Sequence, residues 1–196
     1  MASGMTKFRR AAGRASRIAL GIAGLGLIPA RALAEDPAAA GRSGLAVPRF
    51  VSLKSDRVNL RQGPSGDHKI VWVFRRAGLP VEVVKESEGW RQVRDSEGTI
   101  GWVQGNMLSG RRTVTVQPWE VGKAAAGAAA AKTAASPVPL FARDAASSGV
   151  VANVEPGVIA SVVACTGEWC RISVGDLKGF IEQKKLWGVY VGEAIK

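Results

Sequence analysis

The sequence predicts an all-β protein of two small β-barrels, joined by an alanine-rich linker and preceded by a cleaved signal peptide. Three observations support this fold class. Apolar residues come in short β-rich runs that Gly, Asp and Ser clusters interrupt, and no stretch sustains a helical period. A pattern at residues 78–110 recurs at residues 157–188. The first 34 residues have the composition of an export signal.

The N-terminal segment predicts export. Five basic residues precede the uncharged apolar run 18–28, which is shorter than the roughly 20 residues needed to span a bilayer. Pro29 ends the run, and we expect cleavage between Ala34 and Glu35. Two adjacent arginines leave both the Sec and the twin-arginine routes open. We therefore expect a periplasmic or secreted protein with no membrane span after signal removal.

The charge balance excludes a strongly basic nucleic-acid-binding protein. The formal net charge is +11, but six of the 27 basic residues and none of the 16 acidic residues lie in the signal, which leaves +5. We therefore expect no nucleic-acid partner. The excess belongs to the first barrel, because residues 48–113 hold 12 basic and seven acidic residues and residues 137–196 hold six of each.

The repeat sets the domain organisation. Residues 78–90 align without a gap to 157–169, and residues 101–108 match 179–186. The predicted strands are 58–61, 70–74, 81–86, 90–94 and 100–103 in the first copy, and 138–142, 150–154, 159–164, 170–174 and 179–181 in the second. The predicted segments are a signal peptide at 1–34, a disordered segment at 35–47, a barrel at 48–116, a linker at 117–136 and a barrel at 137–196. Residues 113–116 could form a further strand or a strap along the first barrel.

The segment between the two copies predicts a linker. Residues 122–136 are mostly alanine and lack the large apolar side chains that a docked element would bury.

Three motifs of the first copy resemble the signature of the bacterial SH3-like (SH3b) domain family. They are Asn59-Leu-Arg-Gln-Gly-Pro-Ser65, then Gly78-Leu-Pro-Val81, then Gly101-Trp-Val103. In the second copy, Val138-Pro-Leu-Phe-Ala-Arg143 stands in place of the first motif. The resemblance implies an SH3-like β-barrel for each copy. It also implies a binding function, since SH3b domains elsewhere commonly bind peptidoglycan or peptides.

The second copy adds two further points of resemblance. Its Glu168-Trp-Cys-Arg171 and the terminal segment 186–193 are similar to a family of tandem SH3-like exported proteins of alphaproteobacteria. The resemblance covers nearly the whole mature chain and implies its architecture more firmly than its ligand.

The glycine-aromatic pairs at 101–102 and 179–180 predict close packing. A glycine beside an aromatic residue is typical of a ring that lies across neighbouring backbone in a tight barrel. A core position is the favoured interpretation for both rings.

Three tryptophans are candidates for a ligand surface. Trp90 and Trp169 follow polar hairpin turns at corresponding places. Strict alternation puts Trp90 on the face opposite Val93, where it could stack on a sugar or a peptide, whereas a β-bulge would let both side chains point inward. Trp72 has apolar neighbours on both faces of its strand, so its position stays open.

Cys165 and Cys170 predict a disulfide. They are the two cysteines of the chain, and they flank the predicted hairpin loop of the second copy. Paired strands bring such residues within bonding distance, and an oxidising periplasm favours the bond. Two cysteines are too few for a structural zinc site, and their spacing is not the Cys-x-x-Cys redox pattern. We expect no metal site.

The sequence argues against an enzyme. Its one histidine, His68, lies in a polar loop, where a solvated residue is the ordinary interpretation. No peptidase-sized domain remains outside the barrels, and no phosphate-binding glycine loop occurs. We therefore expect neither catalysis nor a cofactor.

A basic and aromatic face on the first barrel could bind the anionic peptides of the cell wall, although solvated arginines are the simpler interpretation. The candidate ligand-binding residues are Trp72, Arg75, Arg76, Trp90, Arg111, Arg112 and Trp169. The alternative is a periplasmic adaptor that captures a peptide of a partner protein, with the second barrel and its 187–190 terminus as the site.

Overall fold

The computed structural model describes residues 41–117 and 136–196, which form two β-barrels. The strands of the first barrel are β1 (Arg49–Leu53), β2 (Val58–Arg61), β3 (Ile70–Phe74), β4 (Pro80–Ser87), β5 (Trp90–Arg94), β6 (Ile100–Gln104) and β7 (Leu108–Ser109). The strands of the second are β8 (Thr113–Val116), β9 (Val138–Phe141), β10 (Val150–Val154), β11 (Ile159–Thr166), β12 (Trp169–Val174), β13 (Leu177–Glu182), β14 (Leu186–Trp187) and β15 (Ala194–Ile195). Single 3₁₀ turns occupy Gly105–Met107 and Gln183–Lys185.

The two barrels have the same topology. The first sheet has the strand order β3-β2-β6-β5-β4-β1-β7, and the second has β10-β9-β13-β12-β11-β8-β14, with β15 added beside β11. Each strand of the first barrel therefore has a counterpart in the second. This correspondence confirms the predicted all-β fold of two repeated barrels.

The first strand of the second barrel comes from residues predicted to belong to the first. Strand β8 pairs with β11, where Val114 lies opposite Ala160, and it also pairs with β14. The interpretation of 113–116 as a strap along the first barrel is therefore wrong. The barrels are joined by residues 110–112 alone, which corrects the predicted boundaries at 116 and 137.

In the sequence, the alanine-rich segment consequently lies between β8 and β9, two strands of the second barrel, and does not separate the two barrels. Residues 118–135 of the predicted linker lie outside the described residues, as do the signal peptide, its cleavage site and residues 35–40. Within the described ranges, no helix is both long and apolar enough to cross a membrane.

Glycine at two corresponding places lets a leucine fill each core. A Cβ on Gly101 would lie 2.5 Å from Cγ of Leu60, and a Cβ on Gly179 would lie 2.6 Å from Cγ of Leu140. Both leucines are fully buried. The close approach to each glycine is thus made by a core leucine on the inner face of the sheet.

The two barrels belong to one compact unit and contact each other directly. The hydroxyls of Ser52 and Thr113 lie 2.7 Å apart at the short connection. The ring centroid of Phe50 lies 5.2 Å from that of Trp187 and 4.7 Å from that of Tyr190. The aromatic end of the second barrel therefore packs on the first strand of the first.

Charged groups reinforce this junction. The Tyr190 hydroxyl donates to Oε1 of Glu82 at 3.0 Å, and burial together with the Glu82 charge raises the pKa of Tyr190 well above its ordinary value. Arg112 forms two hydrogen bonds with the Glu193 carboxylate, at 2.7 and 2.9 Å. Burial would raise the pKa of Glu193, but the bonds from Arg112 and the Tyr190 backbone amide outweigh it and lower the pKa.

The segment before β1 is folded against the first barrel. The Ser43 amide and hydroxyl donate to Glu86 at 2.7 and 2.8 Å, and Arg49 and Arg91 approach the same carboxylate at 2.6 and 2.9 Å. Burial would raise the pKa of Glu86, but the bonds from Ser43 and Arg49 and the charge of Arg91 together lower it to about 2. This segment therefore contacts the first barrel, whereas the sequence predicts disorder throughout 35–47.

Candidate functional site

Alternation along β12 divides its side chains between the core and the solvent. Cys170 and Ile172 are buried, whereas Trp169 is half-buried and Arg171 is exposed. Strands β12 and β13 pair residue for residue, so no irregularity disturbs this alternation. Trp169 and Arg171 consequently lie on the outer face of the sheet.

Pairing across the sheet brings two phenylalanines to the same face. Phe180 lies opposite both Arg171 and Phe141. The ring centroids of Phe141 and Trp169 are 5.6 Å apart in an edge-to-face arrangement, and the Arg171 guanidinium carbon lies 6.0 Å from the Phe180 ring centroid. We call Phe141, Trp169, Arg171 and Phe180 the outer face of the second barrel. The sequence identified only Trp169 among them, because the other three join it on this face through the register of the paired strands, which the sequence alone does not show.

The first barrel has a related surface at the corresponding positions. Trp102 pairs with Arg61 of β2 and with Gln92 of β5, and Trp90 lies two residues before Gln92 on the same strand. We call Arg61, Trp90, Gln92 and Trp102 the outer face of the first barrel. Trp102 is buried, whereas the other three side chains are partly accessible.

The orientation of Trp90 decides between the two interpretations that the sequence left open. Val93 is fully buried, Trp90 is half-buried, and β5 pairs with β6 without a register shift. The β-bulge of this hairpin lies on β4, between Val83 and Lys85, where it does not alter β5. Trp90 therefore lies on the face opposite Val93, as strict alternation predicts.

The last strand of the first sheet exposes an apolar row. Ile70, Val71 and Trp72 of β3 are 41%, 44% and 57% exposed, and β3 ends the strand order of its sheet. The corresponding strand β10 exposes Val150 and Val151 in the same way. Trp72 lies on a strand separated from that of Trp90 by β2 and β6, so the two tryptophans are not neighbours in the sheet.

The candidate arginines face the junction between the barrels more than a shared ligand surface. Arg112 is paired with Glu193, Arg76 donates to the Gly157 carbonyl at 3.0 Å, and Arg111 donates to the Ser161 hydroxyl at 3.2 Å. Each of these contacts reaches into the second barrel. Arg75 is exposed. The structure does not bring the four arginines together with Trp72 and Trp90.

The predicted disulfide between Cys165 and Cys170 is present. Its sulfur atoms are 1.99 Å apart, and the two residues are direct cross-strand partners in the β11–β12 hairpin. The bond therefore closes the loop that carries Trp169.

His68 lies in the exposed loop between β2 and β3, where its ring covers Gly63 and its carbonyl accepts a hydrogen bond from Arg61 at 2.6 Å. Among residues 41–117 and 136–196, no group of three or more His, Cys, Asp and Glu side chains is arranged to hold a metal ion.

Comparison with known proteins identifies the repeated unit. A family model described as Bacterial SH3 domain matches residues 54–110 and 134–188, which together are more than half of the chain. Both matches begin after the first strand of a barrel, in agreement with the correspondence of β1 and β8. A search of curated proteins finds no match.

Two solved structures from Trichomonas vaginalis are similar to this chain. NlpC2 has 10% identity over 71% of this chain, and NlpC1 has 12% identity over 76%, each with a TM-score of 0.30. This chain spans 48% of each of those chains, about half of their length.

Proposed function

Because the chain belongs to the bacterial SH3 domain family, we propose that it is a non-catalytic binding protein that recognises peptidoglycan or another cell-wall component through the outer faces of its two barrels. The signal-like N-terminus supports export to the periplasm or the exterior, where this ligand occurs.

The observation that carries this proposal is the matched composition of the two outer faces. Trp90 and Trp169 occupy corresponding positions, since they lie opposite Gln104 and Glu182 on corresponding strands. Arg171 of the second barrel lies over the Phe180 ring, and Arg61 of the first barrel is the cross-strand partner of Trp102. Aromatic rings stack on sugars and hydrocarbon, and guanidinium groups bind carboxylates. A polymer of sugars bearing short anionic peptides offers both kinds of partner.

Co-sedimentation with purified sacculi tests this proposal. Arg171→Gln removes an exposed charge and keeps a polar side chain, so it should weaken binding by about tenfold without unfolding the barrel. Lys54→Gln, in the exposed turn after β1 of the first barrel, is the matched control and should leave binding unchanged. Equal retention of the wild type and Arg171→Gln would contradict the proposed surface.

The first barrel should add a contribution that depends on salt. Trp90→Ala removes the aromatic surface, and Arg61→Ala removes the cation of the same outer face. We expect the Arg61→Ala loss to shrink at high ionic strength and the Trp90→Ala loss to persist, because salt screens accessible charges. Binding that is insensitive to both substitutions would assign recognition to the second barrel alone.

The exposed row on β3 supports a second candidate, a periplasmic adaptor. Ile70, Val71 and Trp72 stand on the terminal strand of the sheet, and an extended peptide can add to such a strand through backbone hydrogen bonds.

The adaptor is tested by co-purification from periplasmic extract after wall digestion. Val71→Lys should abolish capture of a stoichiometric protein and leave sedimentation with sacculi unchanged. Removing residues 186–196 would not test the adaptor, because it would also remove β14 and the hydrogen bond from Tyr190 to Glu82, which belong to the fold. Failure to recover any stoichiometric partner with the wild-type protein would argue against the adaptor.

A further inference from the structure

A shallow depression of about 290 Å³ lies on the second barrel beside Trp169. Its lining residues come from the disulfide-closed hairpin loop, the 3₁₀ turn and the C-terminal segment, and they are Gly167, Glu168, Trp169, Glu182, Gln183, Lys184 and Val191. The depression has room for a single amino-acid residue.

The walls of the depression are held in place from three sides. The Cys165–Cys170 disulfide closes the loop, and β15 pairs with the same strand, with Cys165 opposite Ile195. Gln183 donates through its side-chain amide to the carbonyls of Tyr190 and Glu193, at 2.8 and 2.9 Å. A site whose walls are fixed before binding loses little conformational entropy when it is occupied.

The charges around the depression are mixed. The Glu182 carboxylate lies 3.2 Å from the Lys184 ammonium, both groups remain partly exposed, and Glu168 adds a second carboxylate. The depression thus combines two carboxylates, one ammonium group and an aromatic ring.

The first barrel keeps the tryptophan but lacks these charges. Trp90 corresponds to Trp169, and their cross-strand partners are Gln104 and Glu182. In both barrels the 3₁₀ turn donates a backbone hydrogen bond to the residue before the tryptophan, which is Gly89 in the first barrel and Glu168 in the second. By the same correspondence, Asn106 takes the place of Lys184. The charged set is therefore specific to the second barrel, and the first provides an internal control.

We propose that this depression binds a zwitterionic group carried by a peptide, that is, the end of an amino-acid side chain that bears both a free amine and a free carboxylate. Glu168 and Glu182 receive the ammonium group, Lys184 receives the carboxylate, and Trp169 packs against the hydrocarbon between them. This inference rests on the proposed function as a cell-wall binder, because it names the part of a wall peptide that the second barrel selects: an uncrosslinked end that keeps both its amine and its carboxylate.

The test titrates the oxidised mature protein with norleucine, hexanoate and pentylamine and follows the indole N–H resonances of Trp169 and Trp90 by NMR. Norleucine carries both charges, and each of the other two probes carries one. We expect norleucine to shift the Trp169 resonance saturably, with at least tenfold higher affinity than either single-charge probe. Equal affinity for the three probes, or equal shifts of Trp90 and Trp169, would overturn the proposal.

Charge variants separate the two halves of the site. Glu168→Gln should reduce norleucine affinity about tenfold and leave hexanoate unaffected, and Lys184→Gln should reduce the affinity for norleucine but not for pentylamine. Glu155→Gln, an exposed carboxylate outside the depression, is the matched control and should change nothing. If Glu168→Gln binds norleucine as tightly as the wild type does, the assignment of the ammonium to this carboxylate is wrong.

Sedimentation with sacculi distinguishes the failure of this inference from the failure of the proposed function. Sacculi that bind the wild type and the Glu168→Gln variant equally, with no norleucine shift at Trp169, would refute the depression and leave wall binding intact. A norleucine shift at Trp169 without any binding to sacculi would support the depression and refute its cell-wall role.

Discussion

Lowering the pH should destabilise the first barrel through Glu86. The pKa of this carboxyl falls from an ordinary 4.5 to about 2 in the folded protein. A depressed folded-state pKa contributes stability that is fully present above the unfolded value and is lost as the pH falls through the folded one. At about 1.4 kcal/mol per pH unit, the ionised carboxylate contributes about 3 kcal/mol, and its 99% buried side chain exempts it from most solvent screening.

Urea unfolding of the wild type and Glu86→Gln at several pH values between 7 and 2 measures this contribution. The variant should be less stable by about 3 kcal/mol at pH 7, and the difference should shrink as the pH falls from about 4.5 to 2. Glu88→Gln, whose carboxylate is 82% exposed, is the matched control and should change stability by less than about 0.5 kcal/mol. A difference between wild type and Glu86→Gln that is the same at pH 7 and pH 2 would refute the electrostatic reasoning.

Three further predictions follow from the packing. Gly101→Ala should lower the free energy of unfolding by about 1–3 kcal/mol, because its Cβ would overlap the Leu60 side chain in the core. Gly66→Ala, where a Cβ meets open space, is the control and should have no such effect. Equal free energies of unfolding for the two variants would contradict the packing. Tyr190 is the one tyrosine of the chain, so ultraviolet titration should show its midpoint above 10.0, and a midpoint at or below 10.0 would be inconsistent with burial. Tyr190→Phe should lower the free energy of unfolding by about 1–3 kcal/mol, because the hydrogen bond to Glu82 is lost. Cleavage at a protease site engineered within 118–135 should leave two fragments that co-elute under native conditions, because β8 stays paired in the second barrel; two separate barrels would restore the original domain boundary.

Local sequence patterns were sufficient to predict most strands. The runs at 58–61, 70–74, 90–94 and 150–154 match β2, β3, β5 and β10 residue for residue, since β-branched and aromatic clusters end at glycine and aspartate turns. The repeat then indicated that the same fold occurs twice. Strand β1 was missed, although residues 49–53 were placed within the first barrel.

The pairing of β8 could not be predicted from its own residues. The alternating sequence Thr-Val-Thr-Val at 113–116 fits a strand in either barrel, and the choice depends on a partner, β11, that lies more than 40 residues further along the chain. Segment composition also misled, because an alanine-rich stretch suggests a domain boundary even where it is an insertion within a barrel.

The candidate site was predictable where it depends on local sequence. Strict alternation puts Trp90 on the face of the sheet opposite to that of Val93, as the structure shows, and the cysteine spacing predicted the disulfide. The roles of Arg76, Arg111 and Arg112 were not visible, because their contacts depend on how the second barrel packs against the first. Phe141 and Phe180 join the outer face only through register between distant strands.

The most direct test of recognition by the outer faces is NMR titration of the mature protein with soluble peptidoglycan fragments, following the indole resonances of its tryptophans. The account predicts saturable shifts of Trp90 and Trp169, with Trp187 unchanged because it packs against Phe50 at the junction. Shifts confined to Trp72 or Trp187, with Trp90 and Trp169 unmoved, would contradict it.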